Sequence, residues 1–136
     1  MPSAGYMHSG YPIVTSMDVV TPSYSQFEFN YTALTTLGQW GIFHELGHNM
    51  QRGWWTPSGT GEVTVNIFSL KATQMMLGKS PKYAPWLINQ KSDASKYLLS
   101  PNFTTWKNSP GIALCIYAQV IEDYGWDAMK NVFTSY

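Results

Sequence analysis

Gly41-Ile42-Phe43-His44-Glu45-Leu46-Gly47-His48-Asn49 contains the most specific motif of this chain. It contains the pattern His-Glu-x-x-His, which on a helix places two imidazoles one turn apart on the same face. Two neutral ring nitrogens at this spacing can bind one Zn²⁺, which needs at least one further protein ligand. Glu45 can take a proton from an attacking water. The pattern therefore predicts a zinc site with His44 and His48 as ligands and Glu45 as the general base.

The flanking residues favour a buried helix from about Thr32 to Gln51. Its apolar faces would be formed by Leu34, Leu37, Ile42, Phe43, Leu46 and Met50. Its glycines, which allow close backbone approach, are Gly38, Gly41 and Gly47. The alternative is a core helix whose two histidines are merely hydrogen-bonded. We favour the metal site because two of only three histidines in the chain frame a glutamate here.

Composition limits the classes of function. The 136 residues are enough for one domain with a substantial core, and 44% hydrophobic residues exclude a disordered chain. Eight basic and eight acidic residues cancel, so no nucleic-acid or anionic-membrane partner is indicated. No apolar run predicts a transmembrane helix, and residues 1–5 do not resemble a signal peptide. The single Cys115 excludes an internal disulfide and leaves the compartment open.

Turn residues and helix caps divide the rest of the chain. The predicted elements are a loop over Tyr6–Pro12, a strand over Ile13–Val20, and helices from about Thr60 to Gly78, from Ser80-Pro81, over Ser92–Leu99, over Gly111–Tyr124 and over Trp126–Tyr136. This pattern of five or six helices and one short β segment predicts a predominantly helical α+β fold.

The third zinc ligand has to come from outside the motif. One family of zinc peptidases continues it as His-Glu-x-x-His-x-x-Gly-x-x-His, but Gln51 and Trp54 stand at the last two positions and exclude that arrangement. Candidate carboxylates further along the chain are Glu62, Asp93, Glu122, Asp123 and Asp127. We favour Glu62, because it lies in the first turn of the next helix, which is apolar. The connection before that helix is long enough for the chain to reverse and to bring the second helix against the first. A lone carboxylate on such a buried helix would be unfavourable without a metal. The alternative is a glutamate that only stabilises the helix N-terminus.

Asn66 lies four residues after Glu62 and therefore on the same helical face. Its side chain could accept a hydrogen bond from the ring nitrogen of a zinc histidine that does not bind the metal, and we expect that histidine to be His44. The alternative is an asparagine that only satisfies nearby backbone groups.

Several short motifs along the chain together resemble one known family. They are Phe43-His44-Glu45-Leu46-Gly47-His48-Asn49 with Gln51-Arg52, Gly61-Glu62-Val63-Thr64-Val65-Asn66-Ile67-Phe68-Ser69, Tyr117-Ala118-Gln119 with Tyr124-Gly125-Trp126, and Val132-Phe133 with Tyr136. This combination resembles the enhancin-type zinc metallopeptidases, the M-60 peptidase family. The resemblance implies a gluzincin arrangement, with one zinc ion on His44, His48 and Glu62 and with Glu45 as the general base. It also implies protein substrates, which for many microbial and viral members are extracellular glycoproteins or mucins.

The opening segment, Gly5-Tyr6-Met7-His8-Ser9-Gly10-Tyr11-Pro12-Ile13, is more similar still to the vertebrate TRP-channel-associated factors, which carry a domain of this family. That branch implies an intracellular role with a membrane channel as partner. An enhancin-like role implies an extracellular location, whereas a channel-associated role implies a cytoplasmic or membrane-associated one. The family's catalytic domains extend upstream with a β-rich part. We therefore expect residues 1–136 to be one zincin-like domain that forms the C-terminal part of a larger metallopeptidase catalytic domain.

Two functions from different classes follow. The first is a zinc-dependent endopeptidase that hydrolyses peptide bonds in proteins, including glycoproteins or mucins, through a water activated by Glu45. The second is a zinc-binding interaction module of a channel-associated factor, with little or no catalysis.

Overall fold

The computed structural model describes residues 7–15, 31–81 and 84–135. Its elements in chain order are the strands β1 (Met7–His8) and β2 (Val14–Thr15) and the helices α1 (Trp40–Met50), α2 (Gly61–Leu77), α3 (Pro85–Ile88), α4 (Lys91–Tyr97), α5 (Phe103–Lys107), α6 (Pro110–Tyr124) and α7 (Trp126–Thr134). A π-helical segment precedes α1 and a 3-10 turn follows it, over Ala33–Leu37 and Gly53–Trp55 respectively. The predicted class, α+β and mostly helical, is confirmed.

The β segment is a short antiparallel pair in which Met7 lies opposite Thr15 and His8 opposite Val14. The predicted loop over Tyr6–Pro12 is therefore wrong at Met7–His8. The predicted strand over Ile13–Val20 is present at Val14–Thr15, and residues 16–20 lie outside the described part of the chain. Two residues leave too little alternation for a sequence pattern to reveal β1, whose position depends on burial of Met7 against α1.

The helix that carries the histidines is interrupted, so the predicted continuous helix from Thr32 to Gln51 is wrong. Gly38 has a φ of +74°, which a right-handed helix cannot contain, and α1 begins two residues later. The backbone N–H of Phe43 donates to the carbonyl of Gln39 at 3.1 Å, which starts a new helical ladder after the break.

Helix α2 is the centre of the fold. Its N-terminal boundary at Thr60 and its end at Gly78, which has the left-handed φ of +64° typical of a C-cap glycine, agree with the prediction. Thr60 does not cap the helix with its side chain, because its hydroxyl donates to the carbonyl of Pro57 instead. Val63, Val65 and other α2 side chains have almost no exposed surface, since α1 covers one side of the helix and α6 another.

Gly47 allows α1 and α2 to approach each other closely. A Cβ at this position would lie 2.9 Å from both the carbonyl oxygen and a methyl group of Val65, and 3.1 Å from the Cβ of Phe68. The backbone of α1 at Gly47 therefore lies against the backbone of α2 at Val65, and only glycine, which has no Cβ, permits this distance. This contact places the first turn of α2 against the histidine face of α1.

Gly47→Ala is expected to destabilise the protein by about 1–2 kcal/mol, because overpacking of about 1–3 kcal/mol exceeds a gain in helix propensity of up to about 1 kcal/mol. Urea unfolding followed by circular dichroism measures the change. Gly61→Ala is the matched control, because a Cβ there meets nothing within 4 Å. Equal unfolding midpoints for both variants would mean that the close approach does not govern stability.

The remaining helices complete one core around α2 and α6. Its buried members are Ile67, Leu70, Ala84, Leu87, Leu114, Ala118, Ile121 and Met129. The boundaries of α4, α6 and α7 fall within about two residues of the predicted ones, as expected for helix ends. No helix in the described residues combines the length and apolar character that a membrane crossing requires.

The helix predicted to open at Ser80-Pro81 is described only at Pro81, which has 3-10 helical backbone, because residues 82–83 lie outside the described part of the chain. The next helix, α3, begins at Pro85, where proline again occupies the first turn. Helix α5 was not predicted. It begins after Asn102, whose side-chain oxygen accepts a hydrogen bond from the backbone N–H of Thr105 at 2.8 Å. This N-cap was readable in the sequence, but a five-residue helix carries too few residues for a periodic pattern.

Candidate metal centre

Helix α1 brings the ring nitrogens of His44 and His48 together. Their Nε2 atoms lie 3.0 Å apart, and the two rings are nearly perpendicular with centroids 4.6 Å apart. This is the arrangement expected for residues four positions apart on one helical face. Both side chains are mostly covered, at 18% and 20% exposed.

Helix α2 contributes the carboxylate of Glu62 to the same point. One of its oxygens lies 3.1 Å from Nε2 of His44 and the other 3.5 Å from Nε2 of His48. Within the described residues, these three side chains form the only group of three or more metal-ligating residue types whose ligand atoms all lie within 4.8 Å of one another. The structure therefore brings together the three residues that the sequence suggested as zinc ligands.

Other candidate carboxylates lie in different surroundings. Asp93 pairs with Lys96 and Asp127 with Lys130, each across one helical turn at the surface. Glu122 accepts a hydrogen bond from the hydroxyl of Ser80.

The expectation that Glu62 is buried is wrong, because its side chain is 66% exposed. The next residue, Val63, is fully buried, so burial of α2 does not extend to all sides of its first turn. Glu62 lies where the helix emerges from the core, and its side chain extends along the surface towards the histidines. Burial of charge therefore does not explain the position of Glu62, whose proximity to the histidines does not depend on burial.

Asn66 contacts the other ring nitrogen of His44. Its side-chain N–H donates to the carbonyl of Glu62 at 2.7 Å, and its oxygen accepts from the indole N–H of Trp40 at 3.1 Å. A carbonyl only accepts and an indole N–H only donates, so these partners fix the orientation of the amide. The same oxygen lies 2.8 Å from Nδ1 of His44, which must therefore be the donor.

Gln51 has a corresponding contact with His48. Its side-chain nitrogen donates to the carbonyl of Gly61 and to the hydroxyl of Thr64, both at 2.7 Å. Its oxygen therefore faces Nδ1 of His48, at 2.7 Å. The sequence analysis used Gln51 to exclude one peptidase pattern and as part of the family resemblance, and it missed this contact. The available signal was an amide three residues after the second histidine, at the end of the helix.

The chemistry of this donor set fits zinc. With a proton on each Nδ1, both Nε2 lone pairs point to one place, together with a carboxylate, and such a concentration of acceptors suits a cation. Zinc binds nitrogen at about 2.0–2.1 Å with tetrahedral geometry, which separates neighbouring ligand atoms by about 3.3 Å. The observed separations of 3.0, 3.1 and 3.5 Å lie on either side of that value. Two histidines and one glutamate would supply three of the four ligands of a tetrahedral zinc ion, which is the number of protein ligands in catalytic zinc sites.

Glu45 follows His44 on α1 and is half-buried. Successive residues of a helix are rotated by about 100° around its axis, so Glu45 lies beside the histidine face and not on it. This position leaves its carboxylate outside the ligand cluster.

Two contacts hold the surroundings of α1 in place. Asn49 accepts a hydrogen bond from the backbone N–H of Gly10 at 2.9 Å and donates to its carbonyl at 3.0 Å, which fixes the turn between β1 and β2 to the end of α1. In the connection between α1 and α2, the ring of Trp55 packs against Phe133 and Phe68, with centroids 4.5 and 5.6 Å away.

This chain is similar to one known protein family and to several known proteins. The family described as "Peptidase M60, enhancin and enhancin-like" matches residues 2–136. The chain is 36% identical over 139 residues to the TRPM8 channel-associated factor homolog of Danio rerio, and 34% identical over 142 residues to TRPM8 channel-associated factor 2 of Mus musculus. It is also 34% identical over 139 residues to TRPM8 channel-associated factor 1 of Homo sapiens.

Each of these alignments covers 98% of this chain but only 14% of the relative, so the chain spans about one seventh of those proteins. No solved structure matches. Because the family match extends over nearly every residue, and relatives above 30% identity align along the same length, the chain belongs to the peptidase M60 family of enhancin and enhancin-like proteins.

Proposed function

We propose that this chain is the zinc-binding part of a metallopeptidase that hydrolyses peptide bonds within proteins. The observation that carries the proposal is the convergence of His44, His48 and Glu62 from two helices on one point, with Glu45 adjacent. Membership of the peptidase M60 family supports it. The four residues provide three metal ligands and one group that can transfer a proton.

In this proposal, the chain holds one zinc ion through Nε2 of His44, Nε2 of His48 and the carboxylate of Glu62. When bound, zinc supplies a Lewis acid that polarises a peptide carbonyl and lowers the pKa of water. Glu45 accepts the proton from the attacking water and returns it to the departing amine, so one carboxylate serves as base and then as acid.

Asn66 would hold His44 in the orientation that the metal requires. Its oxygen accepts a hydrogen bond from the Nδ1–H group, which keeps the Nε2 lone pair free, while its own N–H donates to the carbonyl of Glu62. One amide therefore connects two of the three proposed ligands. A neutral amide raises the basicity of the imidazole less than a carboxylate would, which leaves the metal more electrophilic.

The family resemblance extends the proposal to substrates and to the rest of the protein. We propose glycoproteins or mucins as the substrate class. We also propose that residues 1–136 form one domain at the C-terminal end of a larger catalytic domain.

A second function is favoured by the names of the relatives. Because they are TRPM8 channel-associated factors, a zinc-binding module that docks on a membrane channel without catalysis is the alternative. A membrane-associated location on the cytoplasmic side would follow from this role, and an extracellular one from the mucin-directed role.

Metal content and proteolysis together test the proposal. Protein purified without added zinc is expected to contain about one zinc per chain and to cleave casein or a glycoprotein. Dialysis against a chelator should abolish the cleavage and one equivalent of zinc should restore it. Stoichiometric zinc without cleavage, together with channel binding, would favour the interaction module. Absence of bound zinc would contradict the metal centre itself.

A further inference from the structure

The geometry points to Gln51 as a positioning residue that fixes the tautomer and ring orientation of His48. The expected effect on metal affinity rests on the proposed zinc site. The effect on the tautomer in the metal-free protein does not, because the contact exists between side chains of this chain alone.

Gln51 is placed for this role by the way α1 ends. Its backbone is extended, with a ψ of 148°, while its own N–H still bonds to the carbonyl of His48 at 3.3 Å. The chain therefore leaves the helix at Gln51, and the side chain turns back over the last turn. The oxygen of the amide reaches Nδ1 of His48 and its nitrogen reaches the first turn of α2.

The orientation of this amide is set by its three partners. The carbonyl of Gly61 can only accept a hydrogen bond, so the nitrogen of Gln51 must face it and the oxygen must face His48. An amide oxygen can only accept, so Nδ1 of His48 must carry the proton. The lone pair on Nε2 is then available at the point where Glu62 and His44 meet.

The same contacts link the two helices that carry the ligands. Gln51 binds the carbonyl of Gly61 and the hydroxyl of Thr64, on either side of Glu62 in the sequence, while Asn66 binds the carbonyl of Glu62 itself. Each histidine is thus held by a side-chain amide that also binds a backbone carbonyl of α2, either that of Glu62 itself or that of the preceding Gly61. A displacement of α2 relative to α1 would disturb both imidazoles and the carboxylate together.

Gln51→Met tests this role, because methionine has a similar length but offers no comparable acceptor to Nδ1. Long-range ¹H–¹⁵N spectra of the metal-free protein, at a pH where both imidazoles are neutral, report which ring nitrogen carries the proton. In the parent we expect the proton of His48 on Nδ1. In Gln51→Met we expect it to move towards Nε2, with His44 unchanged.

Asn66→Leu is the reciprocal variant and should change the tautomer of His44 while leaving His48 on Nδ1. Gln119→Met, at an exposed glutamine of α6, is the matched control and should change neither. Gln51→Asn, which is one methylene shorter, provides a second variant if the methionine variant fails to fold, and it should shift His48 in the same direction.

Zinc competition titrations give the second readout. Loss of a partner that orients a zinc histidine typically lowers affinity about 10–100-fold, which is the change we expect for Gln51→Met and Asn66→Leu. His48 nitrogen shifts that are identical in the parent and in both Gln51 variants would overturn the inference, whether or not the protein binds zinc. A parent that binds no zinc but shows the tautomer change would contradict the metal centre and leave the role of Gln51 standing.

Discussion

Replacing Glu45 with glutamine is expected to lower peptide hydrolysis by about 10²–10⁴-fold, the usual contribution of a positioned general base. Glutamine has nearly the same shape but cannot accept a proton at neutral pH. Zinc should remain bound, because Glu45 lies outside the cluster formed by His44, His48 and Glu62. The measurements are the initial rate of casein or glycoprotein cleavage and the zinc content of the same preparation.

The comparison with zinc content separates chemistry from folding. Glu122→Gln on α6 is a suitable control, since it makes the same change of a carboxylate to an amide outside the ligand cluster. A Glu45→Gln protein with full zinc and an unaltered rate would exclude Glu45 as the base. Loss of zinc together with activity would instead assign Glu45 a role in holding the metal.

Glu62→Ala is expected to abolish tight zinc binding. The free energy of zinc binding to small protein sites is about 10–16 kcal/mol. Losing one protein ligand of three should remove roughly a third of this free energy, which weakens binding by roughly 10²–10⁴-fold. The side chain is 66% exposed, so its removal should leave the fold intact. Competition titration with a chromophoric chelator measures the affinity, and circular dichroism of the metal-free protein verifies the fold.

Asp123→Ala provides the control for Glu62→Ala, because Asp123 is another exposed carboxylate that the sequence offered as a possible ligand. We expect parental zinc affinity in that variant. Tight, stoichiometric zinc in Glu62→Ala combined with its loss in Asp123→Ala would show that the third ligand had been assigned wrongly.

The sequence predicted α2 and α6 well because each carries its own boundary signals. Helix α2 begins after Thr60 and ends at Gly78, and α6 begins at a proline and ends before Gly125. These signals act locally, through caps and through residues that favour a left-handed φ. Long helices also bury enough apolar side chains to show a pattern.

Features that depend on contacts between distant segments were missed. The break at Gly38 was not predicted, although the glycine was noted for close packing, because glycine tolerates both helical and left-handed backbone. β1 depends on pairing with β2 and on packing against α1, neither of which a two-residue segment reveals. α5 is short and mostly exposed, so it has no apolar periodicity to detect.

At the candidate site, helical spacing predicted the proximity of His44 and His48, and the length of the connection to α2 suggested Glu62 beside them. The sequence did not predict the environment of Glu62. Apolar neighbours suggested a buried carboxylate, whereas the first turn of α2 lies at the edge of the core. The contact of Gln51 with His48 was missed because it requires the side chain to turn back over the helix end. That depends on the extended backbone after Met50 and on the position of the next helix.

The exposure of Glu62 has a consequence for the kinetics of metal exchange. The two imidazoles are mostly covered and each is held by an amide, whereas the carboxylate faces solvent. In the proposed zinc site, an ion would therefore leave and return through rotation of one surface side chain, while both histidines keep their positions. We expect metal uptake and release without unfolding, at a rate set by chelator access to Glu62 and not by opening of the helix pair.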